Sequence, residues 1–490
     1  MLGTKGGADL VGISRAIFEA TTMDDFGIVS RVISEFGASS SRAWMLIGKE
    51  YYRAHNDILK RRMYRYVGGS KTPDEDKINN RVAHPFMRLV VDEKAGYLLG
   101  TAPVFTSTDE ALQERLQDIL DDTFLDTLID VAVEASNCGI GWLHPFIATD
   151  AIAGGAKLCF ADLPSEQIIP LWADEQHTKL DAVVRHYYVT EYHGQKKVPV
   201  LKVELWTDTT VQYYTAHEGE LVLDIGRNPL GDPIGHFATA DGRMYGWGMV
   251  PFIPFMNNSA ELPDIYFVKC LIDEYDKAVS DQSNSLEELT ELVYVLRNYG
   301  GTNLEEFMSD LKYYRAIKVD DDGNVETLSA TLNPDAHEKH LDRLKSDFYQ
   351  FSQSVDMSKE TGLGNNPSGV ALEFMYSGLK LKASAMERKF KAAFRILFWF
   401  TTEYLKVVNE GTFDPSTAKV TFTPTAIANT RERIETANAS MATTSRKTAL
   451  ENHPWVDDTD EEMSRIAEEG EISLTKALTA LRAGAGPTGV

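Results

Sequence analysis

The sequence predicts an α+β protein of several structural units, and three observations carry that prediction. At 490 residues the chain exceeds the size at which a single hydrophobic core stops growing. From Gly139 to about Phe255 the apolar residues alternate, as in KLCFADL, DAVVRHYYVTEY, VLKVELWT and TVQYYTA, which reads as a mostly antiparallel β region between helical stretches. Finally, Leu262–Tyr376 divides into an apolar-periodic run, a β-prone insert and a second apolar-periodic run. The first run places Ile265, Val268, Ile272, Tyr275, Val279, Gln282, Leu286 and Leu289 at alternating steps of three and four. The second does so with Leu341, Leu344, Phe348, Phe351 and Val355. Each set falls on one narrow helical stripe, the seam of a coiled coil or a ring of helices, with each stripe expected to bury against a neighbouring helix.

Taken in order, residues 1–38 are weakly periodic and expected to stay mobile until tied to a partner. Ser39–Tyr66 reads as helix, N-capped by a serine and stopped by Gly68-Gly69. A helix is expected after Pro85 through Gly100, then amphipathic helix across Thr108–Asn137. Pro251 and Pro254 make MVPFIPFMNN an edge strand or extended link. In the insert, LVYVL and YYRAIKVDDDGNVETL read as strands, the latter folded at Asp322-Gly323. Asn333-Pro334 is a good start for a returning helix of roughly 36 Å at 1.5 Å per residue. VDMSKETGLGNNPSG reads as a loop, followed by a very long helix, Ser368–Asn409, then a strand at Ala418–Pro424 and a polar, acidic helical tail.

Composition restricts the function classes. The formal net charge is -24 and the pI about 4.9, which argues against a protein that grips nucleic acid by neutralising phosphates. Cys138, Cys159 and Cys270 are odd in number and far apart, so neither a disulfide framework nor a zinc site is expected, and the setting reads as reducing. MLGTKGGADLVG lacks a signal-peptide core, and Phe394–Leu405 is too short to span a bilayer, so a soluble protein is expected.

Motifs for chemistry are weak. GGSKTP at Gly68–Pro73 lacks the order of a phosphate loop and reads as a helix stop and turn. Asp320–Asp322 with Gly323 does not fit a calcium loop, since Lys318 takes its first slot. The histidines show no HExxH spacing, GxSxG is missing, and no cofactor or catalytic residue is assigned. Lys380, Lys382, Arg388, Lys389 and Lys391 follow the glycine loop on one helix. They read either as a solvated face balanced by Glu373 and Glu387 or as a local basic surface.

Four stretches in a shared order carry a family resemblance: NNRVAHPFMRLVVDEKAGYLLGTAPVF, VPFIPFMNNSAELPDI, LIDEYDKAVSDQSNSLEELTELVYVLRNYGG and SGVALEFMYSGLKLKASAMERKF. The chain resembles the portal proteins (head-to-tail connectors) of tailed bacteriophages, in the branch common among siphophages of Gram-positive hosts. The resemblance implies a homo-oligomeric ring, usually a dodecamer, at one capsid vertex of the virion. Double-stranded DNA would be packaged and ejected through it. Its partners would be the terminase large subunit, a head-completion adaptor, and the major capsid and scaffolding proteins, with no membrane. It further implies an N-terminal arm at 1–38, a mixed α/β wing at 39–256 and 370–431, and a two-helix stem at 257–289 and 334–357. A small α/β clip would occupy 290–333, a tunnel loop 358–369 and a helical crown 432–490. In that layout Lys359, Gly362, Gly364, Asn365, Asn366, Pro367, Ser368 and Gly369 would face the DNA. The family hydrolyses nothing itself. The alternatives are a non-channel virion adaptor or scaffold, and a hydrolase with an acidic site in the β region.

Overall fold

The computed structural model describes residues 26–149, 155–217, 220–239, 242–288, 293–297, 324–328, 334–356, 369–424 and 430–451, then 453, 455, 456, 459 and 462–469. They fall into two compact units. One is drawn from Met1–Ser354 and Leu379–Thr425, the other from Val355–Gly378 and Ala426–Val490.

In the first unit, an amphipathic helix at Phe26–Gly37 opens the described chain and buries Val29, Val32 and Phe36 beside the main sheet. The expectation of a mobile segment up to residue 38 is therefore corrected from Phe26 onward. The weak periodicity concealed one full apolar face, at i, i+3 and i+7. The next helix, Ser40–Tyr52, is capped by the Ser39 side chain and is shorter than expected. Beyond it Ala54 takes a left-handed φ of 59° and Asp57–Lys60 forms a 3-10 turn. Tyr64–Val67 then pairs antiparallel with Ser70–Pro73. Gly68 and Gly69, at φ 59° and 83°, supply the two positive-φ positions of a tight hairpin turn, so the pair closes a hairpin and does not stop a helix.

The helices Phe86–Leu99, Glu110–Ile119 and Asp122–Cys138 follow, the last two capped by Asp109 and Asp121. Gly139, at φ 88°, ends the third helix and lies so near the Glu261 carbonyl that a Cβ there would meet its oxygen at 2.1 Å.

The β region forms two main sheets. One runs in the order Glu220–Leu223, Thr210–His217, Lys196–Trp206, Leu180–His193 and Ile168–Trp172, all antiparallel neighbours. The other has Ile140–Thr149 between Ala156–Leu163 and Ile253–Met256. Ile253–Met256 is an edge strand, where Pro254 loses no ladder bond that the sheet needs.

The chain then makes an out-and-back excursion. A 3-10 turn at Asp264–Phe267 leads into the helix Lys269–Glu288, and the helix Pro334–Ser352 returns. Between them Val293–Arg297 pairs antiparallel with Asn324–Leu328, Val293 opposite Leu328 and Arg297 opposite Asn324. The Asp322-Gly323 turn lies outside the described residues. Both helices are shorter than expected: Pro263 holds the first turn in 3-10 form, and Gln353, at φ 58°, ends the second.

The helix Gly369–Val407 is 39 residues long, and its Phe390, Phe394, Leu397 and Phe398 sit at the centre of a large aromatic core with Phe105, Phe124, Leu128 and Phe255. Ala418–Thr421 closes that core by pairing with Val104–Ser107. In the second unit, Thr430–Ser440 packs against Arg446–Glu451, with Ala437, Ala449 and Leu450 buried.

Phe394 is fully buried and contacts four other phenylalanine rings of the core besides Phe398 within that same helix's neighbourhood, including Phe105 at 5.5 Å and Phe255 at 5.6 Å. Replacing it with alanine should cost about 3–5 kcal/mol, read as a lowered urea midpoint at unchanged slope.

Candidate functional site

The long excursion begins and ends at one buried polar cluster. Asn257 and Asn258 follow the proline-bearing edge strand, and Asn258 Oδ1 accepts from the Ala260 and Leu262 amides, turning the chain toward Asp264. Lys94, on the Phe86–Leu99 helix and 0% exposed, donates to Asp264 Oδ2 and to Asn257 Oδ1, each at 2.6 Å. Asn257 Nδ2 donates to Asp264 Oδ1 and to the Leu262 carbonyl, each at 3.0 Å. Lys382, on the Gly369–Val407 helix, lies 3.2 Å from Asp264 Oδ2 and donates to the Ser352 carbonyl at 3.1 Å.

One carboxylate thus serves two ammonium groups. Burial would raise the Asp264 carboxyl, but the charges of Lys382 and Lys94 and hydrogen bonds from Lys94 and Asn257 hold it at about 2. Burial pulls the Lys94 ammonium down to about 8, against the attraction of Asp264. Both are charged at neutral pH.

A second set runs along the outgoing helix. The fully buried Asp276 accepts from Asn56 Nδ2 at 2.5 Å and from the His84 amide at 3.0 Å, with His84 Nδ1 2.7 Å away. Ser280 Oγ accepts from the Val82 amide at 3.0 Å, and Asn284 Oδ1 from the Asn80 amide at 2.7 Å. Every second amide of the extended 80–84 segment thereby meets every fourth side chain of the helix. The repeats match, about 6.6 Å for two extended residues against about 6 Å for four helical ones. Near the base, Lys269 bridges Asp57 and Asp273 at 2.6 Å each, and the Tyr51 hydroxyl donates to Asp273.

The apolar seam lies beneath this polar layer. Ile265, Val268, Ile272, Leu344 and Phe348 are buried, whereas Tyr275, Val279 and Leu341 are half-buried. Ile265, Val268, Ile272 and Phe348 pack within one chain, against Tyr51, Met87, Val90 and Val91, so the root of the stripe is filled inside the subunit. Among the described seam residues, Leu286 and Phe351, both 59% exposed, are left open.

The five basic residues do not share a face. At 100° per residue, Lys382 and Lys389 lie about opposite Lys380 and Lys391. Lys382 is committed to Asp264 and Lys391 to Glu387 at 2.7 Å, while Lys380 and Arg388 are exposed. The loop positions Lys359, Gly362, Gly364, Asn365, Asn366, Pro367 and Ser368 lie outside the described residues, and Gly369 is the first residue of the long helix.

Elsewhere, Glu134, Cys138 and Glu166 converge, but the Lys49 ammonium stands 2.7 Å from Glu134 and 2.5 Å from Glu166 and supplies the positive charge there. Among the described residues no helix is long and apolar enough to cross a membrane.

Residues 44–474 match the family described as "Phage portal protein, SPP1 Gp6-like". The chain belongs to that phage portal protein family. A portal protein of Bacillus phage SPP1 is 38% identical over 431 residues, covering 87% of this chain and 83% of the relative. A portal protein of Clostridium phage phiCD119 is 31% identical over 455 residues, covering 89% and 95%. Portal proteins are structural components of the virion capsid, and the α+β fold expected of the family is the one observed.

Sequence reasoning missed Lys94, Asn257, Asp264, Asp276, Ser280 and Asn284 as site residues. A signal existed for three of them: Asp276, Ser280 and Asn284 recur every four residues beside an apolar stripe, a polar face too regular for solvent alone.

Asp264→Ala leaves Lys94 buried with no carboxylate and should destabilise the chain by about 3–5 kcal/mol in urea unfolding. Asp264 titrates at about 2 folded against 3.8 as a reference, so its contribution is complete above the reference value and is lost as pH falls toward 2. Stability of the parent should therefore fall more steeply with acid over that window than stability of Asp264→Asn, measured by unfolding at stepped pH.

Proposed function

We propose that this portal protein assembles into a ring of identical subunits whose central channel passes double-stranded DNA during packaging and ejection. The ring also serves as a platform for the terminase large subunit, a head-completion adaptor, and the capsid and scaffolding proteins. One observation carries the reading: two long helices run out and back from a single buried charge cluster, with an antiparallel strand pair between them. A stalk held at its root by a shared carboxylate is a rigid lever, suited to standing beside identical copies around an axis.

In this reading the segments 257–289 and 334–357 form the stem, and 290–333 the clip that meets the motor or adaptor. The wing comprises 39–256 and 370–431, and 432–490 the crown. The exposed carboxylates on the stem helices, Glu274, Asp281, Glu287, Asp335, Glu338 and Asp342, suit a conduit in which DNA slides, because firm phosphate contacts would trap the duplex. Residues 358–369, rich in glycine and carrying Asn365-Asn366-Pro367, are the segment proposed to reach the DNA.

Electron microscopy of the purified protein should show rings with a central hole; a stable monomer under assembly-promoting conditions would count decisively against the channel. Asn365→Trp with Asn366→Trp should leave rings intact while reducing packaged DNA. Loss of rings in that variant would make the loop an assembly element instead.

A further inference from the structure

The hairpin Tyr64–Pro73 stands out from the acidic chain by its charge. From Lys60 to Pro73 the chain carries Lys60, Arg61, Arg62, Arg65 and Lys71 and no acidic residue, inside a protein of net charge -24. Arg62, Arg65 and Lys71 are exposed, Tyr66 is 76% exposed, and Lys71 lies over the Tyr64 ring at 4.2 Å. Exposed tyrosines interleaved with cations are typical anchors of a protein interface. GGSKTP, which superficially resembled a phosphate loop, is the turn and second strand of this hairpin.

The root of the hairpin is fixed in height along the outgoing helix. Arg61 donates to Asp281 Oδ1 at 2.6 Å and to the Asn80 carbonyl at 2.9 Å, and Asn80 is itself bound to Asn284 and Glu287. The returning helix can be placed on the same scale. Phe86 contacts both Tyr275 and Phe348, at 5.1 and 4.5 Å, and the charge of Asp342 acts on Tyr275. Counting six residues on from Tyr275 along antiparallel helices of equal rise, the level of Asp281 falls at about residues 336–342.

At that level Asp335, Glu338 and Asp342 form a stripe at i, i+3 and i+7, all exposed and without an ion pair among the described residues. Lys339 and Arg343 flank the stripe, and Arg343 is taken by Asp347 at 2.9 Å.

We propose that the basic hairpin of one subunit docks on the Asp335–Glu338–Asp342 stripe of the next copy of this chain. The inference rests on the ring reading above with the paired helices standing along the ring axis: rotation about that axis moves a surface to the neighbouring copy at unchanged height. A closed ring needs a heterologous contact between two different patches. The hairpin and the stripe have opposite charge, and the root of the hairpin lies at the height of the stripe, so each copy can give one and receive the other. The two tyrosines supply contact area, and the cations set register and orientation.

Native mass spectrometry of the full chain at low ionic strength tests this. Two charge-reversed variants, Arg62→Glu/Arg65→Glu/Lys71→Glu and Asp335→Lys/Glu338→Lys/Asp342→Lys, should each lower the ring fraction by about tenfold or more, since like charges then face each other. Combining the two sets should restore rings, which a folding defect would not do. Rings unaffected by either reversal, or not restored by the combination, would overturn the contact. Intact rings in the hairpin variant together with lost binding to a short DNA duplex would assign the hairpin to nucleic acid and also overturn it. An absence of rings in the parent protein would remove the ring reading itself, a result distinct from all of these.

Discussion

Everything about the long excursion depends on the burial of one carboxylate between two ammonium groups. Removing Asp264 and Lys94 from water is costly, and their attraction is reinforced by Lys382 and by Asn257, which accepts from Lys94 and donates to Asp264. Such an arrangement contributes little net stability over well-packed apolar residues. What it contributes is uniqueness, because a slipped helix would strand a charge in the interior. The outgoing helix, the edge-strand turn, the Phe86–Leu99 helix and the long Gly369–Val407 helix therefore have one admissible register at their meeting point.

Away from that point the register is extended by simpler means. The 80–84 segment lies along the outgoing helix with matching repeats, and the apolar stripe beneath it is filled from Tyr51, Met87, Val90 and Val91. Part of the polar face and the buried root of the apolar face of the same helix are thus met inside one chain. Exposed side chains such as Leu286 and Phe351, the acidic stripe and the hairpin remain outside that packing.

Much of the fold was legible because it is periodic. The alternating stretches became the two sheets, the two stripes became the paired helices, and Pro254 correctly placed an edge strand. Ser39–Tyr66 misled, because its helical text continues past Tyr52 while long-range partners, Asn56 to Asp276 and Arg61 to Asp281, draw the chain into another path. The charge cluster was illegible for the same reason. Lys94, Asp264 and Lys382 are ordinary residues in their own neighbourhoods and acquire meaning only when folding brings them together. The four stretches that carried the family resemblance nonetheless contain Lys94, Asn257 with Asp264, Asp276, and Lys382 in turn. The resemblance had traced the junction without identifying its chemistry.

The span of that junction bears on the order of events at the ribosome. Lys94 meets its carboxylate partner 170 residues later, and Lys382 comes later still. A nascent chain that ends before Lys382 holds Asp264 with half its counter-charge, and lacks the aromatic helix around which Phe105, Phe124 and Phe255 close. Loop-closure entropy of that size makes the junction a late event. A chain that ends before Lys382 therefore holds its paired helices through the 80–84 segment and the apolar cluster alone, without the second ammonium at their root.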